Sequence, residues 1–385
     1  MLTSATGGGH DARARTFESW VWKLYGERAE VRIEEILEGS SVLIRFGVYV
    51  YNLIQRRAPV LHNLYWWVAE GFMMLNARLT LFGYSHFRRI LLEFEPDVVF
   101  SVHDSTNRGY FRVARRTIPD REIKCVTYCG EFSGGPGFSR NWVDRDVDFF
   151  YARTSESASY AATLGIPKEK TRILGNFLPP ETSSSSSNDE RKAEFRKRIL
   201  GLDGDQFTVF LAAAGSGANH HRSLLEVLKG LSDCLQVIVI CGKDERLYRS
   251  LEVWRERNPG LQMFLEGFSS KVLQLIEVSN VIVARPGSNT SAEALYYGCP
   301  IIFNGMGGLM PQERLTLRYF LKHRAAELIS TEKEFEQKIR GWINFSGDYL
   351  ECRNNILSLR TDDSPEVMVQ DLVSPFRRIY GNSSE

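Results

Sequence analysis

The chain is predicted to be an α/β protein built of two doubly wound parallel sheets. Three observations carry that prediction. Short apolar runs alternate with longer amphipathic stretches along almost the whole length. The alternation breaks at residues 176–191, where Pro179-Pro180 and five consecutive serines read as a flexible surface linker, and then starts afresh. A glycine-rich loop follows the first strand of each half, and open α/β sheets bind ligands at the carboxyl ends of their strands.

In the first half, strands are expected at 1–5, 30–36, 97–102, 123–128 and 149–152. A helix runs from the first glycine loop to about Leu24, and three more crowd into residues 41–94. The opening strand is short for a central one, which suggests a start codon upstream. In the second half, strands are expected at 208–213, 236–240, 262–266, 281–284 and 300–303, each followed by a helix. The domains are therefore placed at 1–178 and 196–360, with a linker at 179–195, a last segment at 361–385 and a frayed end from Asn382.

The 385 residues suit two domains, or three. Lys+Arg 48 against Asp+Glu 47 leaves a net charge of +1, which excludes a protein built chiefly to hold nucleic acid. The six cysteines (Cys125, Cys129, Cys234, Cys241, Cys299, Cys352) form no Cys-x-x-Cys pair, so neither a zinc site nor a redox dithiol is expected, and a reducing cytosol fits best. No secretory signal and no membrane span is expected either.

Thr6-Gly7-Gly8-Gly9-His10 follows the first strand, and its glycines let the backbone approach a ligand at a helix N-terminus that favours negative charge. No Walker spacing follows, so the loop does not belong to a nucleotide-hydrolysing P-loop. Gly215, Ser216, Gly217 and Asn219 take the same place in the second half, as a phosphate cradle. His220 stands where a dinucleotide fingerprint has its third glycine, which counts against an NAD-dependent oxidoreductase. His220-His221 are consecutive and point about 100° apart on a helix, so they are not a metal pair.

The densest stretch is Arg285-Pro286-Gly287-Ser288-Asn289-Thr290-Ser291-Ala292-Glu293. Its loop offers amide and hydroxyl donors to a diphosphate, and Glu293 suits a ribose diol. The bland alternative is a capping box from Thr290 to Glu293. Arg285 either meets the diphosphate or the base ring, or pins the loop. Gln312 and Glu313 lie where sugar hydroxyls could be read.

These features resemble a known family. The Gly-Gly-Gly-His opening, Gly267-Phe268, the Pro286-Gly287-x-x-Thr290-x-x-Glu293 run and Gln312-Glu313 resemble monogalactosyldiacylglycerol synthases and bacterial processive diacylglycerol glucosyltransferases. So do Val239-Ile240-Cys241-Gly242 and Ser101-Val102-His103. The glycosyltransferase that adds N-acetylglucosamine to lipid I is similar at a greater distance. The resemblance implies a GT-B fold: two Rossmann-like domains facing a cleft, the nucleotide-sugar on the C-terminal one and the acceptor on the N-terminal one. It also implies a last helix, at 365–380, that returns to the first domain. Phe268 joins the donor set on this basis, and Gly8, Gly9 and His103 the acceptor set, in which Trp142 is also placed. Two stretches depart from the family: Asp104-Ser105-Thr106-Asn107, and Cys129 to Gly137 with Asn141-Trp142 beyond. Both fall on the acceptor side.

The relatives invert at the anomeric carbon in one displacement, which needs a base, a cradle for the leaving diphosphate, and alignment. His10 is the expected base, because an ordinary imidazole is competent at neutral pH. Asp104 and Glu131 are alternative bases or partners that orient the histidine. No aspartate-rich metal motif occurs, so the UDP-sugar is expected as co-substrate without an obligatory divalent cation or other cofactor. The rivals are a UDP-sugar epimerase on the same two-domain plan and a non-catalytic nucleotide-sugar-binding protein.

Between Ser41 and Leu92 lie six arginines and ten aromatics against one acid, Glu70. Arg56, Arg57, Arg88 and Arg89 with Trp66 and Trp67 match the composition of a segment lying in an anionic lipid interface. The alternative is a set of helices covering the sheet with their aromatics and showing arginines to water. The expected place is the cytoplasmic face of the inner membrane, bound peripherally.

Overall fold

The computed structural model describes residues 1–4, 9–39, 47, 50, 67–68, 70–71, 82–184, 188–213, 220–361 and 364–380. The chain divides into two units, Met1–Ser183 with Thr361–Glu385, and Ser184–Arg360.

The first unit carries β1 (Leu2–Thr3), α1 (Gly9–Tyr25), β2 (Glu34–Glu35), α2 (Tyr84–Phe94), β3 (Val98–Ser101), α3 (Tyr110–Thr117), β4 (Lys124–Cys129), β5 (Phe149–Ala152), α4 (Ser155–Thr163) and β6 (Thr171–Ile173). Its strands form one sheet in the order β2-β1-β3-β4-β5-β6, and every pair is parallel. The second unit carries α5 (Asp189–Phe195), β7 (Phe207–Leu211), α6 (His221–Lys229), β8 (Leu235–Ile240), α7 (Glu245–Glu256), β9 (Met263–Glu266), α8 (Val272–Glu277), β10 (Val281–Ala284), α9 (Ser288–Tyr297), β11 (Ile301–Asn304), α10 (Glu313–Lys322), β12 (Ala326–Ile329), α11 (Glu332–Trp342) and α12 (Gly347–Ser358). Its strands are also all parallel, in the order β12-β11-β10-β7-β8-β9. Two Rossmann-like sheets are thus present, as the alternation predicts.

Burial explains the apolar runs. Every residue of β7, β8, β10 and β11 is buried, as in sheets covered on both faces. On α1, Ala14, Phe17, Trp20 and Val21 pack onto Phe100, Val126 and Tyr128 of the sheet. The same cluster takes in Met368, Val369 and Leu372 of α13 (Pro365–Tyr380), so the last helix packs on the first unit.

Three differences from the sequence expectation have physical causes. The strands β6 and β12 were not expected; both are sheet edges, and exposed Arg172 and half-buried Glu327 break their apolar pattern. The strand expected at 30–36 shrinks to Glu34–Glu35, also an edge. Residues 189–195, assigned to the linker, form α5, because the Asn188 side chain accepts from Arg191 N at 3.0 Å and two acids open the helix.

The strand orders locate the two places where ligands can enter. In the first sheet β1 sits between β2 and β3, so successive connections leave it in opposite directions. In the second sheet β7 sits likewise between β8 and β10. The crevice beyond the strand ends opens at such switch points. One lies between the loops after β1 and β3, the other between those after β7 and β10.

Candidate active site

In the first unit, the loops after β1 and β3 bring His10 and His103 together with ring centroids 4.2 Å apart. Gly9 opens α1 and His10 lies in its first turn. His10 Nδ1 is 2.8 Å from the Val102 main-chain oxygen. A carbonyl can only accept, so Nδ1 carries the proton and Nε2 keeps its lone pair. Burial, with His103 and Arg13 beside it, holds the His10 pKa well below the ordinary 6.5, so the ring is neutral at pH 7.

Neither carboxylate expected as an orienting partner takes that role toward His10; the Val102 carbonyl does. Asp104 Oδ1 lies 3.1 Å from Nδ1 of the other histidine, His103, and accepts from Ser105 N at 2.8 Å. Ser105 N donates to the same nitrogen at 3.0 Å. His103 is 4% exposed, and burial lowers its pKa against the pull of Asp104.

Glu131 follows β4. Burial pushes its pKa up to about 7, against Arg13, Arg153 and a hydrogen bond from the Trp142 side chain. Trp142 is 1% exposed and stands 6.3 Å from the His10 ring, so it forms a wall of the site. The composition and motifs did not single out Arg13 or Arg153, both of them buried. Arg13 packs against Gly130, where a Cβ would collide with its guanidinium, and Arg153 lies 4.6 Å over the Phe132 ring. The signal for Arg13 was its place three residues after His10, on the same face of one helical turn. Arg153, at the end of β5, gave no such signal.

In the second unit, the loop after β10 leads into α9. Gly287 occupies the N-cap position of α9 and supplies no side-chain cap, so the capping box from Thr290 to Glu293 does not form. Gly287, Ser288, Asn289 and Thr290 are half-buried at the first turn, and Glu293 is half-buried one turn further on. A helix start of this kind directs main-chain amides and a positive dipole end at an anion. Phe268, at the end of β9, is 70% exposed, with Lys243 Nζ 6.0 Å from its ring. Gln312 is half-buried at the start of α10, its Nε2 3.8 Å from Met310 Sδ.

Arg285 and Glu313 are placed otherwise than a ligand-reading pair. Both are buried, at 6% and 4% exposure, and locked to one another. Arg285 Nε donates to Glu313 Oε1 at 2.8 Å and Nη2 to Oε2 at 2.5 Å. Arg285 Nη2 also donates to Gly308 O at 2.7 Å, while Met310 N donates to Glu313 Oε2 at 2.8 Å. The pair pins the 306–310 loop, and not the 287–290 loop beside Arg285, and the Glu313 carboxylate is spent within the fold.

Gly8 of the first glycine loop lies outside the described residues, as do Gly215, Ser216, Gly217 and Asn219 of the second. Arg56, Arg57 and Trp66 lie outside them too. Arg88 and Arg89 are exposed on α2 while Phe87, Ile90 and Leu91 of the same helix are buried, which is the sheet-covering arrangement. Trp67 is 61% exposed and Val68 64%, which is not. Among the described residues no helix is long and apolar enough to cross a membrane, and no group of three or more His, Cys, Asp or Glu could hold a metal ion.

Two Rossmann-like units, each with polar groups gathered at its switch point, define a glycosyltransferase of the GT-B fold once the sequence matches are added. Residues 216–304 match the glycosyltransferase family 28 C-terminal domain. The chain is 24% identical over 383 residues to monogalactosyldiacylglycerol synthase 1, chloroplastic, of Arabidopsis thaliana, covering 97% of this chain and 70% of that one. It is 22% identical over 245 residues to the processive diacylglycerol beta-glucosyltransferase of Bacillus pumilus, covering 63% of this chain and 61% of that one. In fold it resembles Anabaena HepE in complex with UDP, with a TM-score of 0.54, 14% identity and 98% of both chains covered. The resemblance read from the motifs therefore holds across nearly the whole chain.

Proposed function

We propose that the chain transfers a hexose from a UDP-sugar to a membrane lipid acceptor, diacylglycerol or a related glycolipid, with inversion at the anomeric carbon. In that step the acceptor oxygen bonds to the anomeric carbon as the bond to the diphosphate breaks. The hydroxyl proton passes to His10 Nε2, and UDP leaves.

What carries the reading is the His10 imidazole, held by Val102 O in the tautomer whose free nitrogen can take a proton. Asp104 and Glu131 remain the alternative bases. Burial lifts Glu131 to about 7, which leaves its carboxyl close to half protonated at neutral pH. In the second unit the α9 start suits the diphosphate, Glu293 the ribose hydroxyls, Phe268 the base, and Gln312 the sugar. Main-chain amides and the helix end would answer the leaving charge, so the reaction is assigned no divalent cation.

The lipid acceptor comes from the names of the sequence relatives, which are lipid glycosyltransferases. Exposed Trp67 and Val68 beside a basic segment support peripheral binding to an anionic surface, on the cytoplasmic face. The test is incubation with labelled UDP-glucose or UDP-galactose and a lipid extract. Label in lipid supports the proposal. A new sugar nucleotide would establish the epimerase reading, and UDP binding without either product a non-catalytic binding protein.

A further inference from the structure

Glu70 is the one acid in the stretch between Ser41 and Leu92, and the sequence gives it no role. The structure places its carboxylate on the turn that carries Trp142. Ser139 Oγ donates to Glu70 Oε2 at 2.7 Å, Arg140 N to Oε1 at 2.6 Å, and Asn141 Nδ2 to Oε2 at 3.0 Å. Three successive residues of one turn are thus held by one side chain. The turn already has a local cap, because Asn141 N donates to Ser139 Oγ at 3.2 Å. Glu70 therefore adds a tie from a distant part of the chain, 69 to 71 residues away in sequence.

The next residue on that turn is Trp142. Its side chain lies close enough to Glu131 to pull that carboxyl's pKa down, and its ring stands 6.3 Å from His10. The path from Glu70 to the candidate base thus runs through one turn and one indole. Trp67 and Val68, a turn before Glu70, are exposed, so the same stretch meets solvent on one side and the site on the other. Holding the tie is not free: burial, and Asp104 nearby, raise the Glu70 pKa, against the three hydrogen bonds that lower it. A half-buried carboxylate that spends both oxygens on one turn is a tie to that turn as a whole, beyond the local cap.

We propose that Glu70 is a positioning residue for the acceptor side of the site, holding the 139–142 turn so that Trp142 meets Glu131 and walls the pocket at His10. This rests on the assignment of the acceptor to the first unit. Glu70→Gln tests it, because the amide replaces one accepting oxygen with a donor that faces the donor groups of the turn. Pairing Glu70→Gln with Asn141→Asp restores donor-to-acceptor matching, and so supplies the rescue.

The direct readout is the indole N–H resonance of Trp142, assigned by its loss in Trp142→Phe. It should shift in Glu70→Gln and return toward the wild-type position in the double variant. In turnover, Glu70→Gln should raise KM for the lipid acceptor about ten-fold, leave the affinity for UDP unchanged, and recover in the double variant. An unmoved Trp142 resonance in folded Glu70→Gln would overturn the proposal. So would equal losses in acceptor KM, UDP affinity and thermal stability, which mark a purely structural tie. A shifted and rescued resonance in a protein that transfers no hexose to any lipid would uphold the positioning and remove the lipid-transfer reading instead.

Discussion

His10 Nδ1 donates to the main-chain oxygen of Val102 at 2.8 Å, across the switch point of the first sheet. One residue comes from the helix after β1 and the other from the end of β3, so the tautomer of the candidate base is set by the sheet itself. Burial keeps the ring neutral well below pH 6.5.

A pH profile follows from this. With His10 as base, kcat/KM should stay level through neutral pH and fall only below 6.5. With Glu131 as base the fall should centre near 7, where burial has lifted that carboxyl. His10→Ala should cut turnover about 10²–10⁴-fold and leave UDP affinity near wild type. A variant that keeps most of its activity moves the base to Asp104 or Glu131.

Glu131 also predicts a stability trend. Its pKa is raised from 4.5 to about 7 on folding, so the folded chain holds the proton more tightly than the unfolded one. Stability from this group is therefore highest below pH 4.5, falls between 4.5 and 7, and stays reduced above. At about 1.4 kcal/mol per unit, the loss is on the order of 3–4 kcal/mol. Glu131→Gln should raise Tm at pH 8 and change it little at pH 4, while activity falls. Equal Tm changes at both pH values would contradict the burial account.

Much of the fold was legible because β7, β8, β10 and β11 are buried on both faces and read as unbroken apolar runs. The edges β6 and β12 were not, since a strand with one open side can carry Arg172 or Glu327. The positions of His10 and the α9 start were legible from glycines after strands. The partnerships were not: Arg285 meets Glu313 across 28 residues, and Glu70 reaches Asn141 across 71. Pairings over such separations arise from topology, which spacing alone does not report.

The donor half separates a scaffold pair from a ligand contact. Glu313→Ala strands buried Arg285 and should cost about 3–5 kcal/mol of stability in thermal unfolding. Glu293→Ala should weaken UDP binding by about 1–3 kcal/mol in titration calorimetry. Unchanged UDP affinity in folded Glu293→Ala would take the ribose role away from it.

Membrane binding is tested by sedimentation with phosphatidylglycerol vesicles. The protein should pellet at low salt and be released at high salt, because the attraction to head groups is screened. Neutralising Arg56, Arg57, Arg88 and Arg89 together should weaken the binding. A protein that stays in the supernatant at low salt, yet glycosylates a soluble acceptor, would sink the peripheral-membrane assignment.

The central claim is an inverting transfer to lipid that depends on His10. Its most direct measurement is the anomeric configuration of the glycolipid formed from an α-linked UDP-hexose and diacylglycerol, read by proton NMR. A β-glycoside from the wild-type chain, with its yield lost in His10→Ala, is the predicted result. An α-glycoside, or a β-glycoside formed as fast by His10→Ala, would contradict it.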